Sequence, residues 1–90
     1  YSAPEGASLR LDAYCGQDAS LKVTFYFDDD EENGYSAEAR VAGGGKWKSI
    51  LFDASDFKSA NGAHLESFVG ALSVVFVGSA EVLVNNIVWI

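Results

Sequence analysis

LKVTFYF-DDDEENG-YSAEARVAGGGKWKSILFDASDF, residues 21–57, is the stretch of sequence that decides the fold. Its first part and the start of its third part alternate apolar and polar residues, the pattern of β-strands with one buried face. The acidic run between them and the glycines at 43–45 are turn signals. The stretch therefore predicts two strands joined by a solvated turn, then a glycine turn and a further strand that opens near Trp47.

The same alternation extends over most of the chain and predicts six strands. They are expected at 8–14, 20–27, 35–41, 46–52, 71–77 and 81–90. In the last strand, Asn85-Asn86 interrupts the alternation and predicts a β-bulge that returns Ile87 and Trp89 to the core. Only 54–57 and 62–68 could form a helical turn. Short strands separated by turns indicate an all-β fold, a two-sheet antiparallel β-sandwich.

The inward positions of these strands, with Phe57, give a predicted core. Its members are Leu9, Leu11, Leu21, Val23, Phe25, Ile50, Phe52, Phe57, Leu72, Val74, Phe76, Val82, Val84 and Ile87. Ninety residues without a linker suit a single domain that spans 1–90. Residues 1–6 lack the basic start and apolar segment of a signal peptide, so we expect an excised or mature module.

Charge restricts the classes of partner. The net charge is −7 and the isoelectric point is about 4.3. Phosphate binding depends on clustered Lys and Arg, and the six basic residues are scattered. No apolar run approaches the roughly 20 residues of a membrane span. We therefore expect no nucleic-acid and no membrane partner, whereas neutral ligands remain open.

The residues that could carry catalysis are few, and we expect no enzyme. Cys15 is the only cysteine, so it forms no intramolecular disulfide, and we expect a half-buried small residue. The only histidine, His64, lies in a turn-like segment without a local nucleophile. The carboxylates of 28–32 are consecutive, which suits a solvated loop better than the paired acids of a glycosidase.

The acidic run also raises the question of calcium. Asp28, Asp30 and Glu32 have the alternating spacing of the acidic ligands at the start of calcium-binding loops. The helix-loop-helix motif, however, requires Gly at its sixth position and Glu at its twelfth, where this chain has Asn33 and Ala39. We expect a solvated acidic turn, no cofactor, and no bound metal; a structural calcium is not favoured.

Aromatic residues are the candidates for ligand binding. Tyr14 and Tyr26 fall on outward phases of their strands, and exposed aromatic rings on a sheet call for an explanation. Trp47 either projects from the edge of the glycine turn or plugs one end of the sandwich. Trp89 is expected in the core. Tyr35 is expected to be buried unless the acidic turn lets it swing outward.

Two motifs resemble those of jelly-roll carbohydrate-binding modules. The run Trp-x-x-apolar-x-apolar-x-x-x-x-Phe stands at 47–57, and Val-Leu-Val-Asn-Asn-Ile at 82–87 matches apolar-x-apolar-Asp-Asn-Ile. The resemblance covers residues 9–90 approximately. Within this family, the chain is most similar to the compact modules of cellulosomal plant-cell-wall hydrolases. Asn85 stands where many relatives have an Asp that helps to hold a structural calcium.

The resemblance implies a jelly-roll-like sandwich with no catalytic activity of its own. Such a module would be secreted and extracellular, would bind plant cell-wall β-glycans of the glucan, mannan or xyloglucan type, and would target an attached glycoside hydrolase. We expect a monomeric module within a larger multidomain hydrolase. Its partner is expected to be a polysaccharide, and the sequence alone does not identify which one. The alternative is an extracellular protein-interaction or structural β-sandwich with no sugar ligand.

Trp47 is the expected stacking platform, because sugars present apolar C–H faces ringed by hydroxyls. The full candidate set adds the rings of Tyr14, Tyr26 and Tyr35 and the hydrogen-bonding groups of Arg10, Asp12, Glu38 and Arg40. If successive strands cross between the sheets, Arg10, Asp12 and Tyr14 share an outer face with Glu38 and Arg40, while Tyr26 lies on the opposite sheet. If the first two strands form a hairpin, Asp12 lies across from Lys22, with Tyr26 near the same face. The sequence leaves both open.

Overall fold

Six β-strands form the described part of the protein in a computed structural model that describes residues 3–27 and 34–90. The strands are β1 (Leu9–Tyr14), β2 (Ala19–Tyr26), β3 (Gly34–Val41), β4 (Lys48–Phe52), β5 (Ser73–Gly78) and β6 (Leu83–Trp89). One turn of 3-10 helix, Ala54–Asp56, follows β4. The six predicted strands and the helical turn at 54–57 are confirmed, whereas 62–68 is not helical. The acidic run at 28–32 lies outside the described residues.

The strands form two antiparallel sheets that pack face to face. We call β4-β1-β6 the front sheet and β3-β2-β5 the back sheet. The first strand pairs with the last, and the second with the fifth, which is the nested pairing of a jelly roll. Only β2 and β3 are consecutive neighbours in one sheet; every other connection crosses between the sheets. The predicted jelly-roll-like β-sandwich is confirmed.

An aromatic cluster around Phe25 forms the centre of the core. The ring of Phe25 lies 5.3 Å from that of Phe57, 5.1 Å from that of Phe68 and 5.9 Å from that of Trp89, measured between centroids. Phe25 belongs to β2 and Trp89 to β6, so the cluster bridges the two sheets. Leu9 and Leu11 on β1 continue the same buried layer. Burial of these rings determines which side chains of β2 and β6 point into the space between the two sheets.

The long connection from β4 to β5 closes one side of the sandwich. Phe57, Leu65 and Phe68 from this connection are buried. Lys58 exchanges two backbone hydrogen bonds with Ser36 on the outer edge of β3, at 2.9 and 3.0 Å. The helical turn is held by the Asp53 N–H, which donates to the Asp56 carboxylate at 2.9 Å. The connection thus covers the β3 edge and carries two of the aromatic rings into the core. No helix in the described ranges has the length and apolar character to cross a bilayer.

The predicted core is largely confirmed on the central strands and fails in two places at the edges. Leu72 was expected inside but is 61% exposed, because it precedes β5 and its N–H bonds the carbonyl of Tyr26 at the sheet margin. Ile87 was expected inside but is 48% exposed, because β6 is an edge strand that no described strand covers. Seven predicted members are buried: Leu9, Leu11, Leu21, Val23, Phe25, Phe52 and Phe57. Five are half-buried against them: Ile50, Val74, Phe76, Val82 and Val84.

Several buried residues are additional to the named core members, although Ala13, Ala37 and Val41 have the predicted inward phase of their strands. These additional residues are Ala3, Ala13, Cys15, Ala19, Ala37, Val41, Leu65 and Phe68. Cys15 is fully buried rather than half-buried, and its thiol donates to the carbonyl of Val41 at 3.4 Å. The predicted bulge is present: the register of β6 shifts between the partners of Arg10 and Asp12, and Asn86 has φ 52°. Asn tolerates this left-handed conformation better than most side chains, and Trp89 returns to the inner face.

Replacing Phe25 by Ala should destabilise the domain by about 3–5 kcal/mol, because it removes a ring that contacts three others across the core. Chemical denaturation followed by tryptophan fluorescence measures this loss. Val69→Ala, at an exposed apolar side chain, is the matched control and should change the stability by less than about 0.5 kcal/mol. Equal effects of the two substitutions would contradict a core centred on Phe25.

Candidate functional site

The outer face of the front sheet brings together polar and aromatic side chains in three rows. Residues opposite one another in an antiparallel pair point to the same face. Arg10 lies between Leu51 and Val88, Asp12 between Ser49 and Asn85, and Tyr14 beside Leu83. We call this surface the front face. Its central strand, β1, supplies one functional side chain to each row.

The aromatic end of the front face is formed by Trp47 and Tyr14. Their ring centroids are 5.4 Å apart, with the planes tilted by 44°. Trp47 is 50% exposed and Tyr14 is half-buried. Trp47 therefore projects from the turn, and the alternative that it plugs the end of the sandwich is wrong. The exposed indole of Trp47 packs against the ring of Tyr14, which supports it from one side.

The glycine turn holds Trp47 against β1. The Gly45 N–H donates to the Cys15 carbonyl at 3.1 Å, and the Gly43 N–H donates to the Asp18 carboxylate at 2.7 Å. A Cβ on Gly43 would meet the backbone of Gln17 and Asp18 at 2.7–2.8 Å, so this close approach requires glycine. The turn is thus fixed by hydrogen bonds and by contact to the end of β1, and the orientation of Trp47 follows from it.

Asp12 is the organising polar group of the front face. Its Oδ1 accepts a hydrogen bond from Ser49 Oγ at 2.8 Å, and its Oδ2 accepts one from Asn86 Nδ2, also at 2.8 Å. The hydrogen bond from Asn86 and then that from Ser49 hold the pKa of Asp12 below its usual range and outweigh the desolvation that raises it, and the charge of Arg10 adds a smaller lowering effect. The carboxylate is thereby oriented by both neighbouring strands and stays ionised at neutral pH.

The remaining predicted site residues lie elsewhere. Tyr26, Glu38 and Arg40 are on the outer face of the back sheet, where Glu38 pairs with Lys22 and Arg40 with Ser20. The crossing arrangement left open by the sequence is right for Tyr26, which lies on the sheet opposite Asp12, and wrong for Glu38 and Arg40. The hairpin arrangement is wrong, because β1 and β2 do not pair. β1 and β2 do cross between the sheets, but β3 follows β2 into the back sheet, so Glu38 and Arg40 do not join the front face.

Tyr35 is half-buried and belongs to neither outer face. It lies opposite Phe25 on the inner side of the back sheet and meets the ring of Phe27 edge-on, with centroids 5.8 Å apart. The structure thus divides the predicted set. It brings Trp47, Tyr14, Asp12 and Arg10 together on the front face. Tyr26, Glu38 and Arg40 lie on the outer face of the back sheet, and Tyr35 lies on its inner side.

Sequence reasoning missed two side chains of the front face, Ser49 and Asn86. Ser49 has the same alternation phase as Trp47 and Leu51, so the phase of β4 could have indicated it. Asn86 was recognised only as part of a bulge. Its side chain points outward to Asp12 because the extra residue at the bulge lets it leave the inner phase.

The groups with the greatest chemical reactivity are engaged in local structure. His64 lies in the exposed connection between β4 and β5, and its Nδ1–H donates to the carbonyl of Ser55 at 2.9 Å. Cys15 is buried. Within 3–27 and 34–90, no three His, Cys, Asp or Glu side chains are grouped so that they could hold a metal ion. The described front face offers hydrogen bonds and aromatic stacking surfaces.

Comparison with known proteins adds no relative: no family description, curated protein or solved structure matches the chain. The residues of the front face are therefore the basis for proposing a function.

The pKa of Asp12 should rise toward its usual range when Asn86 is replaced by Gly, because the strongest of the stabilising hydrogen bonds is lost. Glycine accepts the positive φ at this position, so the backbone is not strained. The ¹³C shift of the Asp12 carboxyl carbon, followed during acid titration, measures the change. Ser49→Ala should raise the pKa less, and an unchanged pKa in the Asn86→Gly variant would contradict the assigned network.

The same lowered pKa gives the sign of a stability effect. The folded-state pKa of Asp12 lies below its unfolded value, so its carboxylate stabilises the fold fully above about pH 4. That contribution disappears as the pH falls through the lowered pKa. The thermal midpoint of the wild-type protein should therefore fall in acid more steeply than that of Asp12→Asn, which calorimetry over a pH series can measure.

Proposed function

We propose that the protein is a non-catalytic carbohydrate-binding module that holds neutral plant cell-wall β-glycans of the glucan, mannan or xyloglucan type. The observation that carries the proposal is the exposed Trp47–Tyr14 pair beside the oriented Asp12 carboxylate on one open face. In this proposal the module is secreted and tethers an attached glycoside hydrolase to its substrate. Tethering raises the local concentration of enzyme at the polysaccharide without any chemistry in the module.

The aromatic pair suits the apolar face of a pyranose ring. The axial C–H groups of a β-linked glucose or mannose unit form a flat apolar surface, and a half-exposed indole can cover it. Base–aromatic stacking contributes about 1–3 kcal/mol per ring, and we expect sugar stacking to be of similar order. Tyr14 supports the indole from one side, so little conformational freedom is lost on binding.

The polar row suits the hydroxyls at the rim of the sugar. An ionised carboxylate has about four acceptor sites, and Ser49 and Asn86 occupy two of those on Asp12. The other sites can accept bonds from sugar hydroxyls. The exposed guanidinium of Arg10, in the next row, can donate to them. Because the carboxylate is already oriented, it forms these bonds without ordering cost.

The openness of the front face favours a polymer over a small sugar. The three rows follow the surface of a sheet and not the floor of a deep pocket. An extended chain can lie across such a surface and continue beyond it at both ends. The net charge of −7 favours neutral polysaccharides over acidic ones, which the protein would repel.

Trp47→Ala should weaken binding to a soluble β-glycan by roughly 5- to 150-fold, which corresponds to about 1–3 kcal/mol for one stacking ring. Affinity electrophoresis in gels that contain glucan, mannan or xyloglucan measures the retardation of each variant. The fold should be retained, since the indole is half exposed. Thermal denaturation of the variant checks this.

Tyr26→Ala is the matched control, because it removes an aromatic ring from the opposite sheet. It should leave the retardation unchanged. Unretarded migration of the wild-type protein in every polysaccharide would favour the alternative of a protein-interaction domain. Loss of retardation in the Tyr26 variant with none in the Trp47 variant would transfer the binding site to the back sheet.

A further inference from the structure

Two exposed aliphatic side chains flank Arg10 on the front face. Leu51 on β4 and Val88 on β6 lie opposite Arg10, one on each side, so the three side chains point outward together. Leu51 is 55% exposed and Val88 is 44% exposed. A single exposed aliphatic side chain is ordinary on a protein surface. Here two of them lie on either side of one charged group, and we call the three residues the Arg10 row.

The Arg10 row and the aromatic end of the front face offer different apolar surfaces. Tyr14, which contacts Trp47, follows Arg10 by four residues on β1, which is roughly 14 Å along the strand. The flat indole of Trp47 suits the face of a sugar ring. Leu51 and Val88 are branched, and they present methyl groups instead of a flat surface. The Arg10 row therefore suits a small apolar substituent better than a second sugar ring.

Arg10 supplies the hydrogen-bond donors of this row. Its guanidinium has five N–H donors in a planar fork and no acceptor. Within residues 3–27 and 34–90 it has no hydrogen bond and no ion pair. The neighbouring Asp12 carboxylate accepts its hydrogen bonds from Ser49 and Asn86 instead. The exposed guanidinium can therefore donate to an acceptor on a ligand, between two aliphatic surfaces.

We infer that the Arg10 row binds an acyl substituent of the polysaccharide and that the preferred ligand is an O-acetylated neutral β-glycan. The inference rests on the proposed function and names its substrate class. An O-acetyl group has a carbonyl oxygen that accepts hydrogen bonds and a methyl group that is apolar. The guanidinium donates to the carbonyl oxygen, while the methyl group packs against Leu51 and Val88 and leaves water. A bare hydroxyl would engage only the guanidinium.

Other substituents match the Arg10 row less well. A carboxylate would pair with the guanidinium, but it has no apolar part to pack against Leu51 and Val88. The net charge of −7 also repels an acidic polymer. A methyl ether would cover the aliphatic side chains, but it has no carbonyl oxygen for the guanidinium. The acetyl ester is neutral and has both the acceptor and the methyl group.

Stacking and acyl binding involve different sugar units of one chain. A glycan that lies along β1 passes Trp47 first, then Asp12, then Arg10. Trp47→Ala should therefore lower the affinity for acetylated and deacetylated forms of a polymer by the same factor. The ratio of the two affinities should stay at the wild-type value, so this ratio reports on the Arg10 row separately from the stacking platform.

Affinity electrophoresis in paired gels tests the inference. One gel contains soluble O-acetylated galactoglucomannan, and the other contains the same polymer after mild alkali has removed its acetyl groups. Deacetylation converts each ester to a hydroxyl and leaves the backbone and the solubilising galactose branches intact. The wild-type protein should bind the acetylated polymer at least about fourfold more tightly, the gain expected for burial of one methyl group.

Two double variants locate the acyl site. Leu51→Thr with Val88→Thr replaces the aliphatic surfaces by polar ones of high strand propensity, and it should bring the ratio of affinities to about one. Val75→Thr with Val77→Thr is the matched control, because these two valines are 43% and 56% exposed on the outer face of the back sheet. The control should keep the wild-type ratio, and neither double variant changes the net charge.

The outcomes separate this inference from the proposed function. A wild-type ratio near one would overturn the inference and leave the proposed function intact. Loss of the ratio in the back-sheet variant would overturn it by placing the acyl site elsewhere. Migration that neither polymer retards would also overturn it, and the gel with unsubstituted glucan then decides the proposed function alone. Thermal denaturation checks that both double variants are folded; if either is not, the wild-type ratio decides.

Discussion

Burial of the Phe25-centred aromatic cluster is the constraint on which the rest of the structure depends. Its rings come from β2, from the end of the helical turn, from the β4–β5 connection and from β6. These segments are far apart in sequence, so their contact brings the two sheets together and fixes the path of the long connection. Aromatic pairs of this kind stabilise by about 0.5–1.5 kcal/mol beyond the area they bury. The phase of each strand then follows from the ring that it contributes.

The front face is a consequence of that inner packing. On β1, burial of Leu9 and Leu11 leaves Arg10 and Asp12 on the outer side. On β6, Val84 and Trp89 both pack against the core, although residues five positions apart in a regular strand point to opposite faces. The extra residue at the bulge lets Trp89 reach the core while Asn86 turns outward to Asp12. One local irregularity therefore serves the core and the candidate site together.

Alternation predicted the strands, the bulge and the inward phase, since these depend on near neighbours along the chain. It could not predict which strands pair, because β1 meets β4 and β6 only through contacts distant in sequence. For this reason Glu38 and Arg40 were grouped with Asp12 although they lie on the other sheet. Ile87 was assigned to the core for a related reason: its phase is inward, but edge position is a property of the sheet and not of the local sequence.

The front face and the groove of about 350 Å³ between the β5 and β6 edges affect the stability of this small sandwich in different ways. A domain of about 90 residues buries only about two-thirds of its unfolded surface, so a groove that opens on its core lowers a limited stability further. Any partner that covers the groove in the folded state alone stabilises the fold by mass action. A sugar on the front face contacts side chains on the outer side of β1 and leaves the groove uncovered. A sugar on the front face therefore stabilises the fold through contacts to the outer side of β1, whereas a group in the groove would do so through contacts to the aromatic cluster.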